Sequence, residues 1–301
     1  SFLTALTVRG PSVEEIAAGA RVLRPHMIGV KAPTDAIDVV GTGGDGQSTL
    51  NVSTATSLVV SGCGVPVAKH GNRAMSSRSG AADVLEALGV RLDLSPTQEE
   101  LALRDARLCF LFAQNHHPAL KHVGGVRREL GFRTVFNLLG PLANPAGVKR
   151  QLLGVYDAIW VEPVAHTLAA LGSESAWVVH GSDGIDEITL SGPTKVAALE
   201  NGKIRSFEIA PEDAGLMRQP LSALKGGDPA ANAAAMRSLL DGAKGAFRDV
   251  VLFNSAAALI VAGRVTDLRA GVARAEEAID TGKAKAALDR LVKISQSAVA
   301  A

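Results

Sequence analysis

A segment rich in glycine and hydroxyl side chains, GTGGDGQSTLNVST, occupies residues 41–54. Glycines allow the backbone to adopt positive φ and let amide N–H groups approach an anion closely. The segment lies between a predicted strand and a predicted helix, whose first N–H groups and positive dipole end also favour an anion. Its spacing matches neither the P-loop nor the dinucleotide-binding motif. A plain glycine turn is the alternative, but the density of hydroxyl groups favours a phosphate site.

A second segment, KHGNRAMSSRSGAADVLEALG at 69–89, also leaves a predicted strand and enters a predicted helix. It places Lys69, Arg73, Arg78 and several serines at the mouth of that connection. Because the carboxyl ends of parallel strands open on one crevice, this segment is expected to face the first one. Solvated basic side chains are the alternative. The two segments together predict a ligand with two anionic groups.

Adjacent carboxylates, Asp186 and Glu187, follow a third predicted strand, with Asp183 close by. Carboxylate oxygens are hard ligands suited to Mg²⁺, which keeps several waters and bridges substrate phosphates. A solvated acidic turn explains the same pattern as well until a phosphate site is accepted. With two phosphate segments in the chain, the metal site becomes the favoured interpretation.

One basic and several imidazole side chains complete the candidates. Arg127, on a helix predicted over 118–130, could hold a carboxylate with two hydrogen bonds. The neighbouring basic side chains are expected to face solvent, and these are Lys121, Arg128 and Arg133. The histidines at 70, 116 and 117 do not have the spacing of a metal-ligand set, so each is predicted to be structural.

Alternating strands and helices must position these residues, which predicts an α/β fold with a mostly parallel, doubly wound sheet. The predicted strands are 37–40, 66–70, 108–113, 175–181 and a pair around 194–209. Helices are predicted over 12–24, from Asn51 onward, over 79–88, and through most of 229–295. The stretch 116–146 interrupts the alternation with two further helices. We predict a small helical domain from 1–34 with 116–146, and a larger α/β domain from 35–115 with 147–301.

The composition argues against broad electrostatic binding surfaces. The 301 residues carry 31 basic and 30 acidic side chains, a net charge of +1. That balance argues against binding of nucleic acid or of an anionic membrane. The two cysteines, Cys63 and Cys109, are expected to be reduced and buried in a soluble cytoplasmic protein. Phe2, Leu3 and Leu6 already stand at helical spacing, so an earlier portion of the helical domain is expected to be missing.

Five stretches taken together are similar to the anthranilate phosphoribosyltransferase family of tryptophan biosynthesis: GTGGD, NVST, KHGNRAMSSRSGAADVLEALG, VRRELGFRTVFNLLGPLANP and DGIDE. The resemblance covers nearly the whole chain and includes FNSAAALIVAG and AIDTGKA near its end. It implies transfer of the 5-phosphoribosyl group from phosphoribosyl pyrophosphate, the donor, to the amine of anthranilate. The products are N-(5-phosphoribosyl)anthranilate and pyrophosphate. The resemblance also implies a homodimer, two Mg²⁺ ions, and substrates bound between the helical and α/β domains.

The resemblance further implies roles for individual residues. The implied donor contacts are Gly41, Gly44, Asp45, Thr49, Asn51, Val52, Ser53, Thr54, Lys69, His70, Gly71, Asn72, Arg73, Ala74, Met75, Ser76, Ser77 and Ala81. Ala81 stands where some members carry a donor-binding serine, which removes one hydroxyl. Gly41, Asn72 and Arg127 are implied to contact anthranilate, with His70 and His117 lining its approach. Ser53 is implied to join one Mg²⁺, and Asp186 with Glu187 the other.

Two other functions are compared with this one. A pyrimidine nucleoside phosphorylase shares the fold and a glycine-rich phosphate loop, but its KHSTGGVGD-like segment is absent. A non-catalytic relative that binds nucleic acid would need a basic surface, which the net charge of +1 does not supply. Transfer to an aromatic amine needs no strong general base, because an aniline nitrogen is already neutral at pH 7. The absence of an obvious base in the sequence fits that reaction.

Overall fold

A single seven-stranded sheet runs through the protein, whose computed structural model describes residues 1–74 and 78–297. The strand order is β3-β2-β1-β4-β5-β6-β7. The strands are β1 (Ile37–Gly41), β2 (Val67–Gly71), β3 (Leu108–Phe112), β4 (Arg150–Gly154), β5 (Ser175–Gly181), β6 (Thr194–Glu200) and β7 (Lys203–Ile209). The first five are parallel, whereas β6 and β7 pair antiparallel at one edge. The predicted α/β fold with a mostly parallel sheet is confirmed.

Thirteen α-helices occur within the described residues. They are α1 (Phe2–Arg9), α2 (Val13–Leu23), α3 (Val52–Gly62), α4 (Ala81–Ala87), α5 (Pro96–Asp105), α6 (Ala113–His116), α7 (Lys121–Leu130), α8 (Phe136–Leu142), α9 (Val161–Ala170), α10 (Pro229–Leu240), α11 (Ala246–Val261), α12 (Leu268–Asp280) and α13 (Lys283–Gln296). Helix α2 begins with a capping box, in which the Ser12 hydroxyl accepts from the Glu15 amide at 3.3 Å and the Glu15 carboxylate accepts from the Ser12 amide at 2.8 Å. This reciprocal pair satisfies two backbone donors that the first turn leaves open.

Helices cover both faces of the sheet. Successive residues of a strand point to opposite faces, so Val39 of β1 joins a core with α3, α11 and α12 while Val40 joins a core with α2, α8 and α9. Strand β4 divides in the same way, with Leu152 on the first side and Leu153 on the second. The doubly wound arrangement therefore follows from strands that are apolar on both faces.

Strand β4, which lies at the centre of the sheet between β1 and β5, was not among the predicted strands. Its short run RQLLG lacks β-branched residues, and Leu is common in helices, so periodicity alone could not assign it. The two helices predicted between 116 and 146 are present as α7 and α8.

The order of strands fixes where a ligand can bind. Consecutive strands proceed from β1 to β2 and β3 in one direction, whereas β4 and β5 lie on the other side of β1. The crevice beyond the carboxyl ends of β1 and β4 is therefore a topological switch point, where open α/β sheets bind ligands. Both strands end there on glycine, Gly41 and Gly154.

The structure also describes both cysteines and shows whether any helix could span a membrane. Cys109 is buried and Cys63 is half-buried, and neither forms a disulfide. In the part of the chain that the structure describes, no helix is both long and apolar enough to cross a membrane.

Candidate active site

The loop after β1 has the backbone conformation of an anion-binding turn. Gly43, Gly44 and Gly46 adopt φ values of 65°, 75° and 81°, which residues with a Cβ rarely adopt. The amide groups of residues 44–46 donate to no other described residue. Because unpaired amides at a left-handed turn attract anions, this loop can bind a phosphate.

Asn51 stands at the N-cap position of α3, but its side chain does not cap the helix. Its Nδ2 donates to the Ser79 carbonyl at 3.1 Å, and its Oδ1 accepts from Nδ2 of Asn232 at 2.9 Å. The helix begins where it was predicted, but the Asn51 side chain bonds to residues far away in the chain. Asn51 instead ties the first loop to the second loop and to α10.

Lys69 connects the first two predicted segments. Its side chain is 3% exposed, and Nζ donates to the Val39 carbonyl at 2.7 Å and to Oγ of Ser53 at 3.2 Å. Burial lowers the pKa of Lys69, and the negative charges of Asp38, Glu187 and Asp186 partly offset that effect. A lysine held this way places a fixed cation beside the N-terminus of α3.

The third predicted segment also reaches the first loop. Oδ2 of Asp186 accepts from the Gly43 amide at 2.6 Å, and Oε1 of Glu187 accepts from the Ser53 amide at 3.0 Å. A Cβ on Gly41 would collide with the Asp186 carboxylate, and one on Gly154 with the Asp186 backbone. The glycines that end β1 and β4 thus allow this close approach.

The surroundings of both acids disfavour their negative charge. Burial, followed by repulsion from Asp45, raises the pKa of Asp186 to about 7. Burial, followed by repulsion from Asp186, raises the pKa of Glu187 to about 8, although Lys69 opposes this shift. A divalent cation would compensate both carboxylates at once.

The oxygen ligands at this position suit Mg²⁺, but they are too few to surround a metal ion with protein atoms alone. Across the described ranges 1–74 and 78–297, no group of three or more His, Cys, Asp or Glu side chains could hold a metal ion. Mg²⁺ is commonly held by one or two carboxylates, waters and substrate phosphates. Asp186 and Glu187, with the hydroxyl of Ser53 nearby, have the chemistry that the protein part of such a site requires.

The second loop is closed at its base by Asp83 of α4. Its Oδ2 accepts from the Ala74 amide at 3.1 Å and from the Gly80 amide at 2.8 Å. Arg73 donates to Oδ1 of Asp83 at 3.0 Å and to Oε1 of Glu86 at 2.9 Å, so its guanidinium points toward α4. Three implied donor contacts lie outside the described residues, namely Met75, Ser76 and Ser77. Ala81 is the first residue of α4 and brings no hydroxyl.

Two histidines meet near the carboxyl end of β2. Nε2 of His117 lies 3.1 Å from Nε2 of His70, so one neutral ring donates to the other. Burial lowers the pKa of His70 to about 3 and that of His117 to about 4, so both rings are neutral near pH 7. The structural role predicted for His116 agrees with its buried contact to Glu99 at 2.9 Å.

Arg127 of α7 is half-buried, and its guanidinium carbon lies 5.5 Å from the centre of the Phe136 ring. Burial lowers the pKa of Arg127, and no carboxylate of the described chain offsets that cost. The structure does not show Arg127 in contact with the glycine loop. A carboxylate ligand would supply the missing negative partner.

Arg133 is exposed, as expected from the sequence, but it also contacts the glycine loop, which was not expected. Its Nη2 donates to the Gly44 carbonyl, and its guanidinium carbon lies 4.4 Å from the centre of the Tyr156 ring. It thereby links the segment between α7 and α8 to the glycine loop. Nothing in its sequence spacing signals this contact, because tertiary packing creates it.

Comparison with known proteins gives a consistent family assignment. Residues 33–285 match the family model described as "Glycosyl transferase family, a/b domain". A curated anthranilate phosphoribosyltransferase from Rhodopseudomonas palustris (strain HaA2) is 60% identical over 99% of this chain and 88% of its own length. One from Bradyrhizobium sp. (strain ORS 278) is 59% identical with the same coverage.

Solved structures agree with the sequence relatives. The anthranilate phosphoribosyltransferase from Thermus thermophilus is 46% identical with a TM-score of 0.92, covering 98% of this chain and 88% of that one. The Saccharomyces cerevisiae enzyme, solved in complex with PRPP and Mg, is 32% identical with a TM-score of 0.91, covering 99% and 84%. With this identity over nearly its full length and with its carboxylates, lysine and glycine loop meeting at one crevice, the chain belongs to the anthranilate phosphoribosyltransferase family.

Proposed function

We propose that this chain is a Mg²⁺-dependent transferase that moves the 5-phosphoribosyl group of phosphoribosyl pyrophosphate to the amine of anthranilate. One observation carries the proposal: the glycine loop, Lys69 and the pair Asp186 and Glu187 meet at the switch point of the sheet. A donor with two phosphorylated ends needs such an arrangement of amides, cation and metal-binding carboxylates. The sequence relatives that cover 99% of the chain carry the name of this activity.

We assign the metal to three residues. Asp186, Glu187 and the Ser53 hydroxyl are the proposed protein ligands, and two ions are proposed because the family resemblance implies two. Bound Mg²⁺ supplies positive charge that stabilises the leaving pyrophosphate. The protein contributes fixed amide hydrogen bonds to both carboxylates, which hold them in place before a substrate arrives.

In the reaction, the bond from ribose C1 to the pyrophosphate oxygen breaks and its electron pair leaves with pyrophosphate. The amine nitrogen of anthranilate forms the new bond to C1 and then loses a proton to solvent. The free amides of residues 44–46 and the buried Lys69 ammonium are the proposed groups that stabilise the developing negative charge. The other implied donor contacts retain their proposed roles, including the backbone of Asn51–Thr54.

The acceptor is proposed to lie against Gly41 and Asn72, with its carboxylate on Arg127. His70 and His117 are both neutral near pH 7. Neither ring therefore offers a positive charge that would compete with Arg127 for the carboxylate of anthranilate. Because the amine needs no deprotonation before attack, these residues act by orienting it.

The proposed function is tested by following anthranilate fluorescence after addition of donor and Mg²⁺. We expect fluorescence to fall with both present and to stay constant when either is omitted. Thymidine with phosphate, and a labelled single-stranded DNA, serve as parallel tests of the two other functions. If fluorescence stayed constant under all conditions, the proposed activity would be wrong. Cleavage of thymidine would then indicate a nucleoside phosphorylase, and binding of the DNA would indicate a nucleic-acid-binding protein.

Arg133→Ala is expected to raise the KM for the donor about fivefold, because the glycine loop loses a charged hydrogen bond and a stacked support. The kcat and the KM for anthranilate are expected to change less than twofold. Steady-state kinetics with each substrate varied in turn measures this. Arg205→Ala is the matched control, since Arg205 stacks on Phe207 with 4.2 Å between guanidinium carbon and ring centre at the edge strand β7. If Arg133→Ala and Arg205→Ala changed the KM for the donor equally, Arg133 would have no specific role in the donor site.

We also propose the domain division predicted from the sequence and the homodimer that the family resemblance implies. Helix α2 packs on α8, which supports the pairing of 1–34 with 116–146, although α2 also packs on α9 of the larger predicted domain. Phe2, Val8 and Val22 are apolar side chains exposed by 77%, 84% and 67% on α1 and α2, which supports an interface there. The molar mass in solution tests the dimer.

A further inference from the structure

We infer that Lys225 is a further cation of the donor site, contacting a phosphate group of phosphoribosyl pyrophosphate beside Thr49. The inference rests on the proposed function, because Thr49 is one of the proposed donor contacts. Lys225 lies in the segment LKGGD at 224–228, between the sheet and α10, and none of the site motifs includes it.

The backbone places Lys225 directly opposite Thr49. The two residues form an isolated antiparallel bridge. The Leu50 amide donates to the Leu224 carbonyl at 2.8 Å, and the Gly226 amide donates to the Ser48 carbonyl at 2.9 Å. These two bonds flank the pair and do not join it, so Thr49 and Lys225 form a non-hydrogen-bonded pair, the closer of the two antiparallel types.

This register decides where the side chains point. Residues directly opposite each other in an antiparallel pair project to the same face, with Cβ atoms about 4.5–5.5 Å apart. The Lys225 side chain therefore begins next to the Thr49 hydroxyl, on the face that the donor is proposed to occupy. Its stem of four methylenes is long enough to bring the ammonium to a phosphate that Thr49 also touches.

The segment that carries Lys225 is held firmly against the first loop. A Cβ on Gly226 would lie 2.6 Å from the Thr49 carbonyl oxygen, so glycine is required for this approach. Asn232 of α10 accepts from the Gly227 amide at 2.8 Å and donates to Asn51 at 2.9 Å. Asn232 is 2% exposed, so this clamp is part of the core. The same clamp fixes both a proposed donor contact, Asn51, and the turn that presents Lys225.

The charge of Lys225 is uncompensated in the described chain. The residue is exposed, and its ammonium forms no ion pair or hydrogen bond with any described side chain. Most other lysines near the C-terminal helices are paired, for example Lys283 with Glu277 and Lys285 with Asp241, each at 2.6 Å. An unpaired cation beside a hydroxyl-rich loop fits an anionic ligand at that position.

Lys225→Met tests the inference, since methionine keeps most of the stem and removes the charge. We expect the donor KM to rise about tenfold, the loss of one charge-assisted contact, while kcat and the anthranilate KM change less than twofold. Lys225→Arg is expected to restore the donor KM to within threefold. The effect of Lys225→Met should shrink at 0.5 M NaCl, because salt screens an exposed charge.

Two inhibitors identify the phosphate that is contacted. A weaker inhibition constant for pyrophosphate in Lys225→Met assigns the contact to the leaving group, and a weaker constant for ribose 5-phosphate assigns it to the 5-phosphate. Either result supports the inference. Unchanged inhibition by both, together with an unchanged donor KM, overturns it.

Lys203→Met is the matched control. Lys203 is an exposed lysine opposite Glu200 in the sheet, and Glu200 lies opposite Ser175, the first residue of β5. Lys203 is therefore at the end of the sheet away from the crevice.

A rise in the KM for both substrates that Lys225→Arg fails to reverse would indicate a purely structural role and overturn the inference. An inactive wild type would overturn the proposed function itself, whereas an active wild type with an unaffected Lys225→Met overturns only this assignment.

Discussion

Replacing Asp186 by Asn and Glu187 by Gln in one variant is expected to lower kcat/KM at least about 1,000-fold at saturating Mg²⁺. The amides keep the size of both side chains but cannot supply the negative charge that holds a divalent cation. Without the cation, the leaving pyrophosphate loses its main source of charge stabilisation. Initial rates measured against Mg²⁺ concentration check this result.

The same variant is expected to fold normally, which separates loss of metal from loss of structure. The pKa values of about 7 and about 8 lie above those of the unfolded chain, so the metal-free native state retains protons that the unfolded state has lost. Native stability from this pair therefore falls as pH rises from about 4 to about 8. In EDTA, the melting temperature of the wild type should decline more steeply over that range than that of the double variant.

A change of Glu212 to Gln with Asp213 to Asn is the matched control. These two acids are also adjacent, but they are exposed, and Glu212 pairs with Arg218 at 2.7 Å. We expect this control to keep wild-type turnover and its dependence on Mg²⁺ concentration. If the Asp186 and Glu187 variant kept wild-type turnover, these two residues could not be the metal ligands.

The parts of the site that sequence could predict are those written in local patterns. A strand followed by a glycine loop and a helix N-terminus specifies an anion site within one βαβ unit, and Lys69 lies on the next strand of that unit. The approach of the second segment to the first was also predictable, because strands of one polarity end on the same crevice. These inferences use neighbour relations that the topology guarantees.

The parts that sequence could not predict depend on contacts between segments far apart in the chain. Arg133 reaches Gly44 across 89 residues, and Asn232 reaches Asn51 across 181. The Asn51 side chain stands at the N-cap of α3 but does not cap it, because its amide donates to the Ser79 carbonyl instead. Strand β4 was missed for a different reason: its leucines fit a helix as well as a strand, and only burial between β1 and β5 decides.

Arg127→Ala is expected to raise the KM for anthranilate about 100-fold while the KM for the donor changes less than threefold. An arginine that holds a carboxylate through two charged hydrogen bonds contributes on the order of 3 kcal/mol, which corresponds to about two factors of ten in affinity. Arg127 is half-buried against Phe136 without a protein carboxylate, so its charge is available for the acceptor. Steady-state kinetics with anthranilate varied at saturating donor measures the effect.

Two comparison variants make the assignment specific. Arg128→Ala removes an adjacent, more exposed arginine from the same helix, and we expect both KM values to stay within twofold of the wild type. Arg127→Lys keeps the charge but not the planar pair of donors, so it should recover only part of the lost affinity. If Arg127→Lys restored the affinity for anthranilate completely, the carboxylate would be bound by a single charged contact and not by two hydrogen bonds. If alanine left the KM for anthranilate unchanged, the acceptor carboxylate would have to bind elsewhere in the crevice, with Asn72 and the His70–His117 pair as the next residues to change.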